Sequence, residues 1–180
     1  MRCKVLGPGP ESYKFCPLCG GRLESRSLKA GEPDRLVCTA CEFVFYIDPK
    51  VAVVAVIPWQ GGLVLVRRSI EPGYGGWVAP GGFVDVGETL EEAVVREARE
   101  ECGLTVRVVG LLGAYSYHTS RTIVLAYETE RLAGEVTPGD EELEARIFPP
   151  EDIPWDLIPF RSSREALQTY LTRHRRGSGA

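Results

Sequence analysis

Gly82-Phe83-Val84-Asp85-Val86-Gly87-Glu88-Thr89-Leu90-Glu91-Glu92-Ala93-Val94-Val95-Arg96-Glu97-Ala98-Arg99-Glu100-Glu101-Cys102-Gly103-Leu104 is the most informative run in this 180-residue chain. It reads as a helix from about Leu90 to Cys102, stopped by Gly103 in the C-terminal glycine position. Residues 97, 100 and 101 are three and four apart, so their carboxylates share one face. Ala93, Val94, Ala98 and Cys102 line the opposite face and suit close packing on a sheet. A Glu/Arg-rich helix is ordinarily a solvated surface laced with ion pairs. Three clustered carboxylates instead make sense beside a hard cation such as Mg²⁺ or Mn²⁺, which takes oxygen ligands and keeps places for phosphate oxygens. Glu88 follows the turn at Gly87 and can fold back toward the cluster. Arg96 can bond Glu88 or Glu97 and fix the direction of an acceptor.

The flanking segments read as strands. Val51–Ile57 is a Val/Ala/Ile run suited to burial on both faces, ended by Pro58. Gly61-Gly62 signals a turn, and Leu63–Arg67 reads as the returning strand. Residues 71–87 are rich in Gly and Pro. After the helix, Leu104–Tyr117, Arg121–Glu130 and Leu143–Phe148 read as strands. Ser162-Ser163-Arg164-Glu165 fits a capping box that opens a terminal helix to about Arg173. Strands around one central helix, with a second helix at the end, predict an α/β sandwich with a mixed sheet.

Six cysteines include two pairs, Cys16-Pro17-Leu18-Cys19 and Cys38-Thr39-Ala40-Cys41. Two Cys-x-x-Cys knuckles at this separation have zinc-ribbon spacing, ahead of free thiols or two disulfides. Four protein ligands leave no open position, so this Zn²⁺ would be structural. Phe15, Leu36, Phe43 and Phe45 are the expected apolar anchors of the ribbon. The expected organisation is a flexible tail at 1–13, the ribbon at 14–47, the α/β domain at 48–173 and a second flexible tail at 174–180. Cys3 and Cys102 read as bystanders.

Twenty-one basic against 25 acidic residues give a net charge of −4. That argues against a broad nucleic-acid footprint, which needs a basic face. It leaves room for a phosphate-bearing small molecule held by a metal ion. The longest apolar run, Val51–Pro58, is too short to cross a bilayer. No charged-then-apolar leader opens the chain, so a cytoplasmic location is expected.

The 82–104 run resembles the Nudix box, G-x5-E-x7-R-E-U-x-E-E-x-G-U with U apolar, at every specified position, Ala98 being a small first U. The resemblance implies an α-β-α sandwich and Mg²⁺- or Mn²⁺-dependent hydrolysis of nucleoside diphosphates linked to another moiety. It implies Glu97, Glu100 and Glu101 as metal ligands, Glu88 in support, a carbonyl from Gly82 and an orienting role for Arg96. Glu97, Glu101 and the loop residue Glu141 are the candidates for the general base. The ribbon leading into Asp48-Pro49-Lys50 is similar to two Nudix groups, the plant-type FAD and ADP-ribose pyrophosphatases and the NADH pyrophosphatases. The second group carries a Ser-Gln-Pro-Trp-Pro-Phe-Pro element, where this chain reads Leu112-Gly113-Ala114-Tyr115-Ser116-Tyr117-His118. The first group fits better, through Pro138-Gly139, Glu141, Leu143-Glu144, Arg146, Phe148 and Asp152–Asp156.

The expected substrate is therefore an adenine dinucleotide or nucleotide sugar (ADP-ribose, FAD or NADH), cleaved to release AMP. The alternatives are a nucleotide sensor without catalysis and a hydrolase of NAD-capped RNA. Arg67 and Arg68 are candidate phosphate contacts, and Tyr115 and Tyr117 are candidate ring contacts. Tyr74, Trp77, Phe83 and Trp155 are further aromatic platforms for which core packing is the commoner role. A homodimer is the default assembly.

Overall fold

The computed structural model describes residues 9–175, which form two compact units. One takes in the chain up to Pro49 together with His118–Arg121. The other takes in Lys50–Tyr117 and the chain from Thr122 onward. Cys3 and residues 176–180 lie outside the described residues.

The first unit is a three-stranded antiparallel sheet of β1 (Leu23–Arg26), β2 (Arg35–Cys38) and β3 (Val44–Phe45), in the order β1-β2-β3. Its small core is Cys16, Leu23, Leu36 and Cys38, with Tyr13, Phe43, Phe45 and Ile47 packed around it. Phe15 is not an anchor: it is 69% exposed, and Tyr13 takes that place, its ring 4.9 Å from that of Phe45. Ahead of Lys14, Pro10–Ser12 forms a short 3-10 turn.

The second unit holds two sheets. One is mixed, with β4 (Lys50–Val56) parallel to β9 (Thr122–Ala133) and β8 (Thr105–Tyr115) antiparallel to β9. The other is antiparallel: β10 (Glu142–Phe148), β6 (Gly62–Arg68) and β5 (Pro58–Trp59), with β7 (Trp77–Val78) also on β6. The Val-rich strands are buried on both faces, as their composition requires. Val53, Ala55, Val64 and Val66 meet Ala93, Val94, Ala98 and Cys102 of α1 (Leu90–Cys102). Val54, Val56, Leu63 and Leu65 meet Ala166 and Leu167 of α2 (Arg161–Arg175). The strands thus lie between two helical layers, an α-β-α sandwich.

Two local expectations are corrected. β4 ends at Val56, short of Pro58 as expected, but the strand after the turn does not return to it: Pro58-Trp59 forms β5, which turns through Gln60 and Gly61 into β6, while β4 pairs with β9. Both turn residues have positive φ, 50° and 80°, the geometry that gives a two-residue hairpin the twist of its strands. The capping box lies on α1 rather than α2. Thr89 Oγ1 accepts from Glu92 N at 3.2 Å, and the Glu92 carboxylate accepts from Thr89 N at 2.7 Å. α2 begins at Arg161, so Ser162 and Ser163 lie buried in its first turn. It runs to Arg175, placing His174 and Arg175 in helix rather than a tail. Among the described residues no helix is long and apolar enough to cross a membrane.

The loop from Pro80 to Val84 runs along β4. Ala55 N donates to Pro80 O, Val53 N to Gly82 O and Val84 N to Val51 O, at 2.8, 2.9 and 3.0 Å. This ladder fixes the start of the box against the sheet.

Candidate active site and metal centres

Arg96 organises the carboxylates. Its Nε and one terminal nitrogen donate to both oxygens of Glu88, at 3.1 and 2.6 Å. The other terminal nitrogen donates to Glu97 at 2.7 Å and Glu100 at 3.1 Å. A further bond, 3.0 Å, reaches the Phe83 carbonyl. Such a forked, charge-assisted pairing sets direction as well as energy. It holds the Glu88 carboxyl at about 2, chiefly through the Arg96 bond and then through Asp85 N, which donates to Glu88 at 2.8 Å.

Glu97 and Glu101 are placed differently. Glu97 is 8% exposed and Glu100 is exposed, although they share the helix face. Burial raises the Glu97 carboxyl against the pull of Arg96. Burial also pushes Glu101 up to about 8, opposed by Gly81 N, which donates to it at 2.8 Å. Buried carboxylates that resist ionisation are the mark of a site prepared for a cation or a proton.

The glycines are steric requirements. A Cβ on Gly82 would lie 2.7 Å from the Glu97 carboxyl carbon. One on Gly81 would collide with the Val53 carbonyl and come within 2.9 Å of Val54 Cα. The Gly82 carbonyl spends one lone pair on Val53 N.

Of the tandem Glu141-Glu142, Glu141 is exposed, and its carbonyl accepts from Ser69 N and Oγ at 2.9 and 2.7 Å. Glu142 is the member that feels Glu97 and Glu101. Burial, then the charge of Glu141, pushes it up to about 7, with Arg68 opposing. The sequence reading missed Glu142. Strand alternation would have separated the two residues, but a register shift between Glu142 and Glu144 breaks it.

Arg67 donates to Gly75 O at 3.1 Å and pairs with Glu144 at 2.8 Å. Arg68 donates to Pro72 O at 3.0 Å, and its guanidinium lies over the Phe160 ring. Both arginines brace the loop that precedes the box, and Arg68 also faces Glu101 and Glu142. Tyr115 and Tyr117 stand apart, against α2. Tyr115 OH shares a 3.3 Å bond with Thr169, and Tyr117 OH donates to Glu165 at 2.9 Å. Trp77 is buried edge-on to Phe148.

In the other unit, the sulfurs of Cys16, Cys19, Cys38 and Cys41 all lie within 4.8 Å of one another. Among the described residues this is the one set of three or more metal-type side chains that meets that spacing; the carboxylates spread wider, with Arg96 between them. Three of the Sγ separations are 3.3, 3.4 and 3.8 Å. A disulfide needs about 2 Å, whereas tetrahedral zinc with bonds of about 2.3 Å has sulfurs about 3.8 Å apart. Leu18 N, Gly21 N and Ala40 N point at Cys16, Cys19 and Cys38, each at 3.4 Å. Backbone donors from Cys41 and Ala40 bring the Cys38 thiol down to about 6. Gly21 has no room for a side chain: its Cβ would lie 2.9 Å from the Cys38 sulfur. The donor set and its spacing fit structural Zn²⁺.

Comparison with known proteins gives a consistent picture. Residues 48–168 match the family model described as NUDIX domain, and residues 14–47 match that described as Nudix N-terminal, a zinc ribbon. An ADP-ribose pyrophosphatase of Methanocaldococcus jannaschii is 38% identical over 117 residues, 63% of this chain and 69% of that protein. An NAD-capped RNA hydrolase of Stutzerimonas stutzeri is 30% identical over 93% of this chain, which spans only 59% of that relative's length. A crystal structure of a NUDIX hydrolase from Nitrosomonas europaea superposes with a TM-score of 0.87 at 32% identity, covering 92% of this chain and 94% of that one.

Proposed function

We propose that this chain, which belongs to the Nudix hydrolase family and carries that family's N-terminal zinc ribbon, cleaves the diphosphate of ADP-ribose, FAD or a related adenine dinucleotide and releases AMP. The observation that carries this reading is the Arg96 network, which holds Glu88, Glu97 and Glu100 beside the half-buried Glu101 under the Gly81-Gly82 turn. Family members work with Mg²⁺ or Mn²⁺, and the all-oxygen donor set here suits such hard cations. Glu97, Glu100 and Glu101 would hold the metal, with Glu88 supporting through Arg96 and Gly82 offering its remaining lone pair. When bound, the ion polarises phosphoryl oxygens and lowers the pKa of the attacking water.

The chain's own groups do the rest. Arg96 keeps the carboxylates aimed. Glu97 and Glu101, both set against the Gly81-Gly82 turn, are the candidates within the box to take a proton from the attacking water. Glu141 is the loop alternative, and Glu142 stands closer to the cluster. Arg68, whose charge favours the ionised forms of Glu101 and Glu142, is committed to the Pro72 carbonyl.

A substrate panel tests this directly: ADP-ribose, FAD, NADH, NAD, NAD-capped RNA and nucleoside triphosphates, with Mg²⁺ or Mn²⁺ and AMP followed by chromatography. ADP-ribose or FAD is expected to turn over faster than NADH. Faster cleavage of NADH or capped RNA would move the substrate assignment to that group, and no turnover would favour nucleotide sensing.

The carboxylates also set a pH dependence. Their unfolded value is 4.5, and in the folded chain Glu142 sits at about 7 and Glu101 at about 8. Between those limits the folded state binds more protons than the unfolded one, so stability falls as pH rises. Without Mg²⁺, the melting temperature of the second unit is expected to fall from pH 6 to pH 8. Added Mg²⁺ should restore more at pH 8, where the carboxylates have lost protons that the ion would otherwise have to displace. Equal Mg²⁺ effects at both pH values would contradict this.

A further inference from the structure

We propose that Lys50, seated on the ring of Phe83, is a substrate-contacting cation that takes non-bridging oxygens of the substrate's diphosphate, with Phe83 as its platform. The proposal rests on the hydrolase reading above and adds a residue to that site. Lys50 is the only lysine of the second unit and the first residue of β4. Its ammonium lies 4.6 Å from the centroid of the Phe83 ring. Among the described residues no carboxylate lies within ion-pair distance of it, whereas Arg67, Arg96, Arg107, Arg131, Arg146 and Arg161 each pair with an acid.

Position links this cation to the carboxylates. Phe83 follows Gly82 directly, and its carbonyl is bonded by Arg96. Its backbone bridges to Ala52, and the next residue is bonded to Val51. Lys50 and the Arg96 network are therefore joined through one short, hydrogen-bonded ladder. Phe83 remains 50% exposed, so its ring is not consumed by the core.

Charge explains the need. A polyanionic substrate approaching Glu88, Glu97, Glu100 and Glu101 is repelled by them, and Arg96 is fully engaged in holding three of them. Arg67 and Arg68 are tied to loop carbonyls. Lys50 supplies a positive charge with no acid to give up first. The aromatic face holds the ammonium while leaving its protons available to an anion.

The test compares Lys50→Met, Lys50→Arg and Phe83→Leu with the wild-type chain. KM and kcat are measured for ADP-ribose with Mg²⁺, and binding of the hydrolysis-resistant α,β-methylene-ADP is measured by calorimetry. Lys50→Met is expected to raise KM and weaken analogue binding by about tenfold or more, the scale of one charged hydrogen bond. Its kcat should change less and its melting temperature should match wild type. Lys50→Arg should recover most of the loss, and Phe83→Leu should give an intermediate loss. Unchanged KM and unchanged analogue binding in Lys50→Met would overturn the proposal. If the wild-type chain binds the analogue through Lys50 but hydrolyses no diphosphate, the contact stands and the hydrolase reading falls.

Discussion

Glu101→Gln is expected to lower kcat/KM for the preferred diphosphate by about a thousandfold or more, the range seen when a group that stabilises transition-state charge is removed. The fold should survive. The Glu101 carboxylate accepts from Gly81 N at 2.8 Å, and a Gln carbonyl oxygen can accept the same bond. What is lost is the charge, together with a carboxyl that burial already holds at about 8. The variant should therefore melt no lower than wild type at pH 8 without Mg²⁺, and Mg²⁺ should raise its melting temperature less. The discriminating result is the pairing of the two readouts. Full activity would remove Glu101 from the metal site, whereas lost activity with a collapsed melting temperature would mean the substitution had damaged the fold.

Cys38→Ser is expected to release the zinc and unfold residues 14–47. Cys38 is fully buried, with Cys19 at 3.4 Å and Ala40 N directed at its sulfur. The surrounding core is only four buried residues, two of them cysteines. Few apolar groups can then replace the metal, whose binding free energy in small zinc domains is about 10–16 kcal/mol and is realised as folding. Metal analysis should fall from one zinc per chain to none. Hydrogen exchange should become fast across β1–β3 while the Val53–Val66 core stays protected. Retained zinc and unchanged exchange would rule out a four-cysteine site.

Much of this was legible in the sequence because it rests on local chemistry. The α1 bounds follow from apolar spacing and Gly103, and the ribbon follows from cysteine spacing. The partners of β4 were not legible, because a run buried on both faces carries no periodicity to say which strand lies beside it. Phe15 was misplaced since exposure in so small a domain depends on where the knuckle turns. The capping box was assigned to Ser162 although Thr89-x-x-Glu92 carries the same pattern at the start of the better-defined helix. Glu142 was hidden by a register shift, and Tyr115 and Tyr117 read as site aromatics until α2 was seen to engage both hydroxyls.

The parallel pairing of β4 with β9 has a consequence for how the chain acquires its shape during synthesis. α1 has its own cap at each end and can form from nearby residues alone. The Gly81-Gly82 turn, by contrast, hangs on β4 through Val53 N and Gly82 O, and β4 takes its sheet partner from beyond Thr122. Contacts so distant along the chain form late, because loop closure must precede them. A nascent chain ending near Tyr115 would contain every residue of the box and still lack β9. The carboxylate cluster should then mature only after β9 has emerged, so an incomplete chain would carry every residue of the box without its assembled geometry.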